Sequence, residues 1–407
     1  MPKSAKILLL AVSVVLVLSV LLTVSHVNAA EGAYRQINVY SEVLQHIQTE
    51  YVDVPNIQQV TDGALRGLLE SLDADSSYLA PADYKLFKDE RGGKAQVGLN
   101  VSKRYGYATV VATVPNSPAD KAGLNDGDII EAINDRDTRD ISLTVIRLML
   151  EGAPGSEVSV SVVRPRQSIP QKITMTRAAV TEPMVADTQY EGASILYLKP
   201  AILDHDHVQQ IENKLKAMPK AGNKKLLLDL RDVAGGDMAD ATRLANMLLK
   251  SGTIATLEGQ TVQKQVFTAD PAKAINATAP VVVLVNRGTS GPAELVAASL
   301  QDNKRADLVG EKTFGEGSEQ KTFELPSGAA LILSVAKYES PAGKKLEDEG
   351  VTPGTVVGAS EDQEGPDEDE PTVLGAVPQP TAPTAKPAVQ VDEQLKKALE
   401  LLKSKPA

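Results

Sequence analysis

Two apolar runs, Leu226–Leu230 (LLLDL) and Val281–Val285 (VVVLV), constrain this chain more than any other feature. A strand that is apolar on successive residues points side chains to both faces, so both faces must be covered. The surrounding sequence supplies the cover by alternating strand and helix patterns. Strands are expected at 195–198, 226–230, 281–285 and 306–309, helices at 207–218, 238–250 and 292–301, and a strand pair within 320–338. Such alternation predicts an α/β core.

The 407 residues exceed one ordinary domain, and the chain ahead of the core changes pattern twice. Residues 34–90 read as helical. Val43, Ile47 and Tyr51 fall on one face, and Ala64, Leu65, Leu68, Leu69 and Leu72 on another, before 73–81 breaks the pattern with small polar residues. Residues 97–163 show strand-like runs at 108–114, 128–133 and 158–163 around two short helical segments. Ser117–Asp135 (SPADKAGLNDGDIIEAIND) resembles a PDZ domain, with a short helix, a glycine and a tight Asp-Gly-Asp turn into a strand. Asn125–Asp128 supplies a turn that tolerates positive φ, and Ile129, Ile130 and Ile133 form the buried strand. The PDZ resemblance implies that an extended peptide adds as a strand between a second helix at 142–150 and the strand starting near Gly98. Backbone amides at Val97, Gly98 and Leu99 would hold its terminal carboxylate.

The ends bear on location. Lys3 and Lys6 precede the apolar stretch 7–24, followed by Val27-Asn28-Ala29, a pattern of export that fits either a cleaved signal or a retained membrane anchor. The charges at its start put residues from about 30 onward in the periplasm or on the outer face of the cytoplasmic membrane. Residues 359–391 are acidic and Pro-rich, as expected of a linker. Beyond it, Leu395, Ala398, Leu399 and Leu402 recur at helical spacing, so 392–407 is expected to hold a short amphipathic helix that docks on the body or a partner, with homo-oligomerisation open. The formal charge of −11 includes seven acids within 361–370, and the remainder offers no nucleic-acid surface. With no cysteine the chain has neither disulfides nor a thiol nucleophile.

Four further motifs follow in order: LLESLDADSSYLAP (68–81), LLLDLRDVAGGDMADATRLANMLL (226–249), VVVLVNRGTSGPAELVAASLQDNKRADLVGEKTFGEGS (281–318) and ELPSGAALILSVAKYESPAG (324–343). Together with the PDZ segment they resemble the carboxyl-terminal processing, or tail-specific, serine proteases. The resemblance implies a multidomain protein, an α/β (α+β) tail-specific-protease core with an inserted PDZ domain and an N-terminal helical segment. The expected boundaries are 1–29 signal or anchor, 30–95 helical segment, 96–177 PDZ domain, 178–358 core, 359–391 linker and 392–407 helix.

Those proteases resemble one another in using a Ser-Lys dyad, the serine following an N-x-G strand end and the lysine lying in a T-F-G-K-G run. Here Asn286-Arg287-Gly288-Thr289-Ser290-Gly291-Pro292-Ala293-Glu294 aligns without a gap and puts Gly291 at the nucleophile position. Thr313-Phe314-Gly315-Glu316-Gly317 puts Glu316 at the lysine position. Gly291, Pro292 and Glu294 also suit the N-cap, N1 and N3 positions of a helix. Gly235 and Gly236 match the glycine pair that shapes the oxyanion region in the family, and Gln320 matches a glutamine that helps to orient its lysine. Each serves equally as a turn or core residue.

The implied function is binding of C-terminal tails or unfolded peptides by a catalytically impaired pseudoprotease, an adaptor or regulator. The alternatives are an active endopeptidase with a relocated pair, Ser290 with Glu316, Lys312 or Lys321, and a PDZ scaffold whose core mediates oligomerisation. His205 and His207, in Asp204-His205-Asp206-His207, read as a solvated helix start, so neither metal nor cofactor is expected.

Overall fold

The computed structural model describes residues 36–89, 95–164, 169–192, 194–358 and 392–406. The expected export stretch 7–24 and the linker 359–391 lie outside them. Among the described residues no helix is long and apolar enough to cross a membrane. The chain divides into two compact units, 1–65 and 66–407.

A helix α1 covers 36–50, and α2 spans Ile57–Glu70. The helical pattern is as expected, but its faces are not core. Val43, Tyr51, Leu68 and Leu72 stay exposed, and of the predicted stripe only Leu69 is buried. A turn leads to β1 (Ser77–Leu79) and α3 (Pro81–Asp89).

The next part forms a sheet of β2 (Leu99–Arg104), β3 (Tyr107–Thr113), β4 (Ile129–Ile133), β6 (Glu157–Val163) and β7 (Gln171–Thr176), in that order. The short β5 (Arg136–Asp137) pairs with β4. Helix α4 (Pro118–Lys121) and helix α5 (Leu143–Leu150) complete it. The predicted turn is present, with Asn125 N donating to Asp128 Oδ2 at 3.0 Å and Gly127 at φ 80°. Ile130, Ile133, Ile146, Val158 and Val160 are fully buried in its core.

Strand β8 (Ala186–Tyr190) opens the α/β core and pairs antiparallel with β9 (Ile195–Lys199). Helix α6 (His205–Ala221) then leads to β10 (Lys225–Asp229), helix α7 (Met238–Leu248) to β11 (Thr253–Glu258) and β12 (Gln265–Thr268), and β13 (Val281–Val285) to helix α8 (Pro292–Asp302) and β14 (Ala306–Gly310). Strands β15 (Ser318–Glu324), β16 (Ala330–Glu339) and β17 (Thr355–Val356) follow, and helix α9 (Glu393–Ser404) ends the described chain. The central sheet runs β17-β14-β13-β10-β9-β8, and β9, β10, β13, β14 and β17 are mutually parallel. A second core sheet runs β1-β16-β11-β12, with β15 paired to the same β16.

Every residue of β10 and β13 is buried. Their alternation sends Leu226, Leu228, Val281, Val283 and Val285 toward α6, α7 and α8, and Leu227, Val282 and Leu284 toward the opposite face. That opposite face is closed by α9, which inserts Ala398 and Leu402. Lys225, at the start of β10, turns its ammonium to the carbonyls of Leu402 at 2.7 Å and Lys405 at 2.6 Å, satisfying the C-terminal end of α9. At the other end Arg231 Nη1 donates to Asp392 Oδ1 at 2.9 Å and to Gln394 Oε1 at 3.2 Å.

Candidate active site and peptide groove

The residues singled out at 97–99 sit where β2 begins. Gly98 has φ 78°, and a Cβ on it would lie 2.3 Å from Ser117 Cβ, so only glycine fits. The carbonyls of Val97 and Gly98 are drawn into the domain by the amides of Ala119 and Val114, both at 2.9 Å. Between this corner, β2 and the end of α5 lies a cavity of about 270 Å³, lined by Val97, Gly98, Leu99, Val101 and Leu150 and reaching Ala234 and Glu316 of the core. The groove therefore extends to Glu316, one of the two candidate dyad positions. Arg147 of α5 crosses it, with Nη2 donating to the Val101 carbonyl at 3.1 Å.

Position 291 stands at the corner between β13 and α8. Asn286 builds this corner, its Oδ1 accepting from the amides of Asp232 at 3.0 Å and Gly288 at 3.1 Å. Thr289 Oγ1 donates to the Leu230 carbonyl at 2.8 Å, and the Ser290 amide donates to the Val233 carbonyl at 3.0 Å. Gly291 then adopts φ 55° and ψ −113°. A sharp strand-turn-helix corner of this kind presents a nucleophile at its apex in hydrolases. A Cβ on Gly291 would have Glu316 Oε2 as its near neighbour, at 4.0 Å. A side chain at position 291 would thus start within contact distance of the Glu316 carboxylate.

Ser290, one residue earlier, is buried with no exposure, and its Oγ donates to Glu316 Oε2 at 2.6 Å. Glu316 Oε1 also lies 3.6 Å from Arg147 Nη2, which in turn lies 3.8 Å from Asp75 Oδ1. Asp75 is buried at the end of the turn before β1, and burial, reinforced by the negative charge of Glu316, pushes its carboxyl up to about 6. Ser318 Oγ donates to Asp75 Oδ2 at 3.2 Å.

Glu294 does more than cap a helix. Its Oε2 accepts from the Gly291 amide at 2.9 Å and the Glu316 amide at 2.8 Å, and its Oε1 accepts from the Gly315 amide at 2.8 Å and from the Thr313 hydroxyl. One carboxyl thereby fastens the 286–291 corner to the 313–317 loop. Burial pushes it up to about 8 against the pull of these donors. Glu347 clamps the same loop from the far side, accepting from the Gly317 amide at 2.7 Å, and burial raises its carboxyl to about 7. Because the Gly291 amide is held by Glu294 and Pro292 has none, neither is available to a developing oxyanion.

The other predicted residues divide. Gly236, at φ 126°, would place a Cβ 2.3 Å from the Leu203 carbonyl oxygen, and Gly235 O accepts from the Leu203 amide at 3.0 Å, so this pair packs against 202–203. Ala234 rather than the glycines lines the groove. Gln320 is exposed, with Nε2 donating to Ser318 Oγ at 2.6 Å. His207 corrects the expectation of a solvated turn. It is buried, with Nδ1 2.7 Å from Asp204 Oδ1 and Nε2 3.0 Å from the Pro183 carbonyl, because α6 begins at His205 and lays position 207 against 183–185. Sequence reasoning missed Asp75, Arg147 and Glu347. Asp75, in the polar turn 73–77 between apolar runs, is the one that carried a local signal.

Residues 194–357 match the model of Peptidase family S41, and residues 109–164 that of the PDZ domain. The carboxyl-terminal-processing protease of Picosynechococcus sp. is 35% identical over 302 residues, covering 72% of each chain. That of Synechocystis sp. is 32% identical over 319 residues, 76% of this chain and 74% of the relative. Among solved structures, the photosystem II D1 C-terminal processing protease superposes with a TM-score of 0.66 at 26% identity, over 79% of this chain and 92% of that one.

Proposed function

This chain belongs to the carboxyl-terminal-processing proteases of peptidase family S41, and from that premise we propose that it binds C-terminal tails without cleaving them. In this reading it is an exported adaptor or regulator whose PDZ groove captures tails or unfolded segments outside the cytoplasmic membrane. The observation that carries the proposal is the Gly291 corner. It keeps the backbone of a nucleophile turn, yet it holds no side chain and faces a carboxylate where an amine base would be needed. The capture of the Gly291 amide by Glu294 supports the same reading from the oxyanion side.

The test is hydrolysis of an unfolded protein substrate by the purified chain. The expected result is no turnover, whereas turnover removed by Ser290→Ala would overturn the proposal.

One observation favours a second reading, an endopeptidase using Ser290 with Glu316 as base, since the two are 2.6 Å apart. Against it, Ser290 has no exposed surface from which its oxygen could reach a peptide carbonyl. A serine-directed fluorophosphonate separates the two readings, with no labelling of Ser290 expected under tail binding alone.

A further inference from the structure

We propose that the open edge of β15 is a second strand-docking site, which receives the part of a tail upstream of the residues held in the PDZ groove. This rests on the tail-binding reading and extends it to the ligand's length and composition.

Strand β15 pairs with β16 along its whole length from Ser318 to Glu324, and among the described residues no strand pairs with its other edge. An unpaired edge is a row of backbone donors and acceptors ready for an added strand. Most of its side chains are exposed. Beside it lies a cavity of about 410 Å³ between the β15–β16 sheet, α3 and α5, lined by Asp75, Phe87, Leu148, Gln320, Thr322 and Ile332. Arg147 and Glu151 line both this cavity and the PDZ groove, so those side chains are the partition between them.

The path of a bound tail connects the two. With its carboxylate at 97–99 and its backbone added along β2, a tail runs toward Arg104 at the end of that strand. Arg104 is joined to the core loop there, its Nη2 donating to the Phe314 carbonyl at 2.8 Å and its guanidinium lying 4.3 Å from the Phe314 ring centre. Phe314 is four residues before the start of β15. At about 3.3 Å per residue, the six residues of β2 accommodate about 20 Å of tail, and residues beyond them leave β2 beside Phe314, on the segment that leads into β15. The cavity wall there combines Phe87, Leu148 and Ile332, so the upstream segment that fits carries an apolar side chain. The ligand is accordingly an extended tail of about ten residues or more, with one apolar side chain upstream of the PDZ-bound end.

Two fluorescein-labelled peptides ending in Val-Ala-Leu test this on the full chain, a tetrapeptide and an unstructured dodecapeptide with a leucine near its N-terminus. Anisotropy is expected to show the dodecapeptide binding about tenfold or more tighter. Thr322→Phe, which fills the cavity with a strand-favouring residue, is expected to remove that advantage and leave tetrapeptide binding unchanged. Amide exchange across 318–324 is expected to slow with the dodecapeptide alone. Equal affinity of the two peptides for the unsubstituted chain, with 318–324 unprotected, overturns the inference and leaves the tail-binding reading intact. Binding of neither peptide overturns both.

Discussion

At the scale of single residues, the site is governed by carboxylates that share too few cations. Glu316 and Asp75 lie on either side of Arg147, and Asp75 is the buried member. Burial makes Asp75 harder to ionise, and the negative charge of Glu316 adds to the effect. Glu316→Gln removes the charge and keeps an acceptor for the Ser290 hydroxyl. The Asp75 carboxyl is then expected to titrate lower than about 6, by a fraction of a unit to about one unit, in a carboxyl-detected NMR titration. An unchanged or higher titration midpoint contradicts the arrangement. The same residues show what sequence can carry. The gap-free run from Asn286 to Glu294 marked Gly291 and the separate run from Thr313 to Gly317 marked Glu316, each by its resemblance to a family motif. The helix start at Gly291, Pro292 and Glu294 was legible because capping chemistry is local. Arg147 and Glu347 reach the site from elements that sequence spacing does not connect, and nothing near either residue announces it.

Among the elements, α9 was legible as an amphipathic helix, but its berth was not. Its apolar stripe specifies that something must cover it, while the covering surface is assembled from Ile195, Leu227, Val282, Leu284 and Val309, on four different strands. The long apolar strands told the complementary half, since runs such as β13 demand cover on both faces. In α1 and α2 periodicity specifies the helices, but an apolar stripe does not by itself specify a cover, and Leu68 and Leu72 remain exposed. Leu402 tests the berth. It is fully buried against the central sheet, so Leu402→Ala is expected to cost about 2–4 kcal/mol, read as a lower urea midpoint. The same substitution at Leu399, at the edge of that contact, is expected to cost less. Equal effects at the two positions would mean that α9 does not seat as described.

For the whole molecule, three buried carboxyls with raised titration surround one loop and contribute to how stability depends on pH, in the same direction as Asp126, Asp128 and Glu182 elsewhere. Burial is the leading cause in each case, taking Asp75 to about 6, Glu347 to about 7 and Glu294 to about 8. In the unfolded chain all three ionise near 4. Between those limits the folded state binds more protons than the unfolded one, so stability falls as pH rises and the loss is complete only above about 8. Toward acid the opposite groups take over. Asp229, buried yet held low by Arg231, and Glu212, held low by Lys216 and Arg243, lose their contributions as pH drops below their ordinary range. The stability optimum is therefore expected near pH 4–5, below the neutral range. The net charge of −11 pushes in the same direction through self-repulsion, so the profile alone does not isolate the buried groups. Glu347→Gln does, because an amide oxygen can still accept from the Gly317 amide while one titrating site disappears. Urea midpoints at about pH 5 and about pH 8 are expected to differ clearly in the unsubstituted chain. In the variant the gap should shrink by an amount on the order of 1–3 kcal/mol. A gap of the same size in both proteins would assign the pH dependence to net charge and remove Glu347 from the account.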